Sequence, residues 1–89
     1  MITYDPAKRL ATLERRGLDF EDAAEVFEGL KFTFPDERAE YGEPRWITIG
    51  LLRSRMVVIG WTQRDEGRRV FSMRKANERE QAKYRQRLR

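Results

Sequence analysis

Histidine and cysteine are both missing from these 89 residues, and the two absences close off much familiar chemistry. Without cysteine there are no disulfides and no thiolate metal ligands. Without histidine the commonest general acid/base and the commonest metal ligand are gone, so neither a metal nor another cofactor is expected. No apolar run approaches the roughly 18 residues needed to cross a bilayer, and Met1 to Arg9 lack the apolar stretch of a secretory signal. A cytoplasmic protein with no membrane partner is expected. The length is short as well: residues 1–89 allow a single domain with a thin core. Two Trp, five Phe and three Tyr are enough to build that core, and a hydrophobic content of 39% argues against disorder.

Charge is plentiful and unevenly placed. Residues 1–44 carry 6 basic and 11 acidic side chains, a net of −5, whereas residues 45–89 carry 13 and 4, a net of +9. Of the 19 basic residues 15 are Arg, whose planar fork grips phosphate or carboxylate at two points. Such a split gives one face to a polyanion and leaves another for a different partner, unless the charges simply balance in space.

The apolar pattern predicts an α+β fold. Ile2 to Tyr4 make a short first strand. Asp5-Pro6 opens a helix as cap and first helical residue, Arg15 and Arg16 complement its C-terminal dipole, and Gly17 ends it. A second helix starts at Asp19, where Phe20, Ala23, Ala24 and Phe27 share a face, and Leu18 and Ala23 are placed to form a staple. The two helices read as an N-terminal hairpin with one joint apolar surface.

From Lys31 the period changes to two. Strands are predicted over 31–34, 45–51, 56–61 and 68–74, with Phe71 and Met73 facing away from Val70 and Ser72. Residues 35–44 form an acidic, turn-rich loop. Asn77 and Glu80 then make a capping box for a basic C-terminal helix, whose only packing residues are Tyr84 and Leu88, with Ala82 beside them. So narrow a stripe predicts loose docking or a wait for a partner. The expected architecture is the helical hairpin on an antiparallel sheet of about four strands, closed by that helix.

The densest chemical signal lies in the last hairpin and helix: Arg64, Arg68, Arg69, Arg74, Lys75, Arg79, Lys83, Arg85, Arg87 and Arg89. Cations on a rigid strand beside a helix N-terminus suit phosphate. Trp46, Trp61, Tyr41 and Tyr84 are candidates for stacking on bases, although the Trp residues are more often core. Cleaving RNA requires a base for the 2′-OH, positive charge on the phosphorane and an acid for the leaving oxygen. Arginine stabilises charge but is a poor base. Lys75 is the better candidate, because Arg74 and Arg79 disfavour its charged form. Glu80, Glu43 or a Tyr hydroxyl can supply the other proton.

The chain also resembles the BrnT family, toxins of type II toxin–antitoxin systems with a fold like the RelE ribonucleases. The resemblance starts at Tyr4-Asp5-Pro6-Ala7-Lys8 and continues at Arg16-Gly17-Leu18-Asp19-Phe20-Glu21-Asp22-Ala23 and Val26-Phe27. It resumes at Arg45, Ile49-Gly50, Val58 and Thr62-Gln63-Arg64, is densest from Arg69 to Ala76, and closes with Arg79-Glu80 and Tyr84. It implies a metal-independent endoribonuclease that arrests growth. Neutralisation would come from a BrnA-like ribbon-helix-helix antitoxin in a complex, a hetero-tetramer being one form, that represses its own operator DNA. On this reading Arg64, Arg74, Lys75, Glu80 and Tyr84 are the catalytic candidates, and Lys8, Arg16, Arg45, Arg69 and Arg79 bind RNA. The family pattern has Lys-His before the glycine where this chain has Arg15-Arg16, so proton transfer by that histidine is not available here. The rival readings are a non-catalytic RNA- or DNA-binding module and a module that only binds an acidic partner.

Overall fold

The computed structural model describes residues 1–88; the C-terminal Arg89 of the basic run lies outside them. Five strands form one sheet: β1 (Ile2–Thr3), β2 (Lys31–Pro35), β3 (Trp46–Leu52), β4 (Arg55–Arg64) and β5 (Gly67–Lys75). Their spatial order is β1-β5-β4-β3-β2. The run β2 to β5 is an antiparallel meander, as its alternating pattern predicts, but β1 joins β5 in parallel, with Ile2 opposite Arg68 and Thr3 opposite Arg69. The sheet is therefore mixed and five-stranded rather than four-stranded and antiparallel. A two-residue strand carries too little pattern to announce its partner.

The expected helical hairpin is not formed. Helix α1 (Pro6–Arg16) has its Asp5 cap and its left-handed Gly17 terminus, but the next segment opens as a 3₁₀ turn (Phe20–Asp22) and leaves α2 only Ala23–Glu28. The two helices pack on different strands, α1 along β5 and α2 on β3. Helix α2 comes close because residue 50 is glycine: a Cβ there would stand 2.6 Å from Val26 Cγ1. Helix α1 buries no residue, and its Leu10 and Leu13 point outward. It is held by polar ties, chiefly the forked bond from Arg9 to Asp19 (2.7 and 3.0 Å).

Each sheet face has a core. On one, Leu18, Phe20, Ala23, Val26 and Phe27 meet Leu52, Val57, Ile59, Trp61, Val70 and Met73. On the other, helix α3 (Glu78–Tyr84) and the 3₁₀ turn Arg85–Leu88 set Tyr84 and Leu88 against Ile49, Met56 and Val58, with Phe32 and Phe34 alongside. The capping box of Asn77 and Glu80 is present as predicted. The C-terminal helix is nevertheless firmly docked: Tyr84 and Leu88 are 6% and 3% exposed, each worth about 1.5–3 kcal/mol of burial. Two large anchors suffice where the sheet offers a complementary aromatic floor.

A bulge decides what β5 presents. Gly60 pairs with Ser72 and Trp61 with Val70, leaving Phe71 as the extra residue. Val70 and Met73 consequently share the first core. The strict alternation expected for Phe71 and Met73 fails at that point.

Candidate nucleic-acid interface

Strand β1 covers β5 only at Arg68 and Arg69. Beyond it the β5 edge runs free, and α1 lies beside it. Arg16, in the last turn of α1, donates from Nη1 to the Met73 carbonyl at 2.9 Å, satisfying an edge acceptor and fixing the helix end against the strand. Arg15, Arg16, Arg74 and Lys75 together line an open cleft of about 390 Å³. A second groove of about 240 Å³, sharing Arg15 and Arg16, leads from it between α1 and β5 and is lined also by Lys8, Ala11, Thr12, Phe71 and Ser72. Another cavity, about 440 Å³ along the 35–46 loop, is lined by Asp36, Glu37, Glu40 and Glu43 against Arg45.

Arg74 meets Glu80 in a forked ion pair, both bonds at 2.8 Å. The Asn77 backbone N–H also donates to Glu80, at 2.9 Å. The Arg74 bonds, aided by that N–H, hold the Glu80 carboxyl down at about 2. Arg74 remains 42% exposed, so its outer surface is free for an anion while Glu80 fixes its direction. Four cations, three of them guanidinium groups, thus converge where a strand end, a helix C-terminus and the start of another helix meet. Such an arrangement has the charge and the donors to hold a phosphate.

The family model for "ribonuclease toxin, BrnT, of type II toxin-antitoxin system" matches residues 4–80. The chain belongs to the BrnT family. Its fold is similar to the 1.1 Å crystal structure of the Brucella abortus ribonuclease toxin BrnT. The TM-score is 0.69 and the identity 26%, over 86% of this chain and 96% of that one. A comparison with curated proteins finds no match. The resemblance read from Tyr4 to Lys8 and from Arg69 to Ala76 is therefore correct, and the protein is a ribonuclease toxin of a type II toxin–antitoxin system, a class that implies an antitoxin partner. Among the described residues no helix is long and apolar enough to cross a membrane.

Of the residues singled out from sequence, this BrnT-family structure brings Arg16, Arg74 and Lys75 into one cleft and sets Lys8 on the adjoining groove. The others lie elsewhere. Arg64 pairs with Glu43 at 3.1 Å, at the opposite end of β5 from Lys75. Arg69 is half-buried between Thr62 and Thr3. Arg79 is exposed on the first turn of α3 and does not line the cleft.

Two expected proton carriers are differently employed. Glu80 is already ionised far below neutrality and clamped to Arg74, which leaves it no proton to donate. Tyr84 is buried, its ring stacked with Phe34 and tilted against Phe32. Trp61 is likewise core, bonding Thr48 through its indole N–H at 2.8 Å. Arg45 lies over two aromatic rings, 4.3 Å from the Tyr41 centroid and 4.0 Å from that of Phe71.

Two contributors are hidden in the sequence. Arg15 reads as a partner of the helix dipole, and its one further signal is adjacency to Arg16. Phe71 reads as one strand face, and only the bulge reveals that it lines the groove.

Proposed function

We propose that the cleft of Arg15, Arg16, Arg74 and Lys75 binds the scissile phosphate of RNA and promotes metal-independent endonucleolytic cleavage by the substrate's own 2′-OH. The observation that carries this reading is the convergence of those four cations on the free edge of β5. The 2′-oxygen attacks phosphorus, the bond to the 5′-oxygen breaks, and the products are a 2′,3′-cyclic phosphate and a 5′-hydroxyl. The phosphorane gains charge on its way, and fixed guanidinium groups stabilise it more than they stabilise the ground state. Lys75 is the group in the cleft able to exchange a proton, because arginine does not. Glu80 serves by aiming Arg74.

The wider reading follows from the family and the charge. A single toxin domain acts in the cytoplasm and is restrained by a BrnA-like ribbon-helix-helix antitoxin, in a hetero-tetramer that binds operator DNA through the antitoxin. An acidic antitoxin segment laid across the cleft would screen the cations that RNA needs.

Purified toxin freed of its partner is expected to cut RNA in EDTA and leave 2′,3′-cyclic ends. A requirement for added magnesium would overturn the metal-independent mechanism. RNA binding that needs Lys75 without any cutting would favour the non-catalytic binding module.

A further inference from the structure

We infer that the groove between α1 and β5 carries a nucleobase subsite, with the ring of Phe71 as the stacking platform for a base of single-stranded RNA next to the bound phosphate. The inference rests on the proposed phosphate cleft and adds the part of the substrate that the cleft does not hold.

Phe71 owes its position to the bulge between Gly60 and Trp61, which takes it out of the core that Val70 and Met73 occupy. Its ring is only half-buried and lines the groove. The ring is also braced. Arg45 lies over it at 4.0 Å from the centroid, and the same guanidinium is 4.3 Å from the centroid of Tyr41. Glu43 stands 3.7 Å from the Arg45 Nε. A platform held in this way loses little freedom when a base stacks on it, and stacking is sequence-tolerant because every base has a π-face.

The surroundings fit a nucleotide rather than a purely apolar ligand. Lys8 Nζ sits 5.9 Å from the Phe71 centroid, and Arg15 and Arg16 line the same groove before it opens into the cleft. Cations therefore flank the ring on the path a phosphodiester backbone would take. Thr12 and Ser72 add hydroxyls to the lining, so a base edge has donors and acceptors within the groove. A duplex keeps its bases stacked on one another and offers no free face, so the groove selects single strands.

The test uses short 2′-O-methyl RNA, which lacks the attacking hydroxyl, carrying 2-aminopurine at each position in turn. One position is expected to lose fluorescence on binding, and Phe71→Leu is expected to abolish that quench. The same substitution should weaken binding about 5- to 100-fold, the range a base–aromatic stack supplies. Phe71→Tyr should restore both. Thermal melting of each variant separates loss of the platform from loss of the fold. A quench that survives in folded Phe71→Leu, or no quench at any position while the RNA binds, overturns the subsite. Wild-type protein that stacks the probe but cuts no cleavable RNA would leave the subsite standing and remove the catalytic reading instead.

Discussion

The two ends of β5 use the same residue type for opposite purposes. At the Gly67 end, Arg68 lies over Phe27 at 4.2 Å and Trp61 at 5.2 Å, its Nε is buried without a hydrogen-bond partner among the described residues, and its backbone N–H donates to the Met1 carbonyl at 2.9 Å. At the Lys75 end, Arg74 is aimed by a carboxylate and still 42% exposed, in a cleft with Arg15 and Arg16. The first arginine covers a core through cation–π contact and its methylene stem, while the second is poised for an anion. The difference comes from neighbours. Strand β1 seals one end of the edge and stops after two residues, so the rest of the strand is left to whatever docks there.

The contrast is sharpest for the cleft itself. Lys75→Ala or Arg16→Ala is expected to lower cleavage about 10²- to 10³-fold, the usual loss of a donor to a developing oxyanion, with melting temperature little changed for Lys75→Ala. RNA end-labelling assays beside calorimetry check both halves. At the other end the effects reverse: Arg68→Ala should cost about 1–2 kcal/mol of stability and leave activity per folded molecule unaltered. Equal losses of activity in the two variants would erase the distinction between the ends.

Glu80 supplies a smaller effect with a definite pH signature. Its carboxyl sits at about 2 in the fold against an ordinary 4.5. A folded value below the unfolded one stabilises the protein above about 4.5 and ceases to do so as pH falls through about 2. Glu80→Gln should therefore lower stability at pH 7 by about 1 kcal/mol, a modest figure because water screens the partly exposed pair, and by much less near pH 2. Melts at the two pH values measure this directly. The smallest change is expected at Arg64, where Ala substitution should alter cleavage by about twofold or less, since its Glu43 pair lies away from the cleft.

The meander, the caps of α1 and α3 and the charge asymmetry were legible because each is written in neighbouring residues: alternation for strands, Asp5-Pro6 and Asn77-Glu80 for caps. The cleft was legible in part, since Arg74 and Lys75 stand at a strand–helix junction that sequence marks. Long-range choices were not. Nothing in Ile2-Thr3 names β5 as its partner. Arg68 looks like Arg74 until Phe27 is brought beneath it. Tyr84 resembles an exposed stacking residue until Phe32 and Phe34 surround it. The second helix fails to form the predicted hairpin because α1 and α2 each pack on a separate strand, a preference that no local pattern expresses.

The bond from Arg16 to the Met73 carbonyl joins residues 57 positions apart, and β1 pairs with the same strand. During synthesis the N-terminal residues are therefore made long before the surface they complete. Neither wall of the cleft is useful alone, and a chain interrupted before β5 holds Arg15 and Arg16 but nothing to set them against. Such contacts between distant residues close late, after the loops that separate them. A ribosome translating this chain thus carries no assembled cleft until the last strand has emerged, and any chemistry of the proposed site belongs to the folded chain.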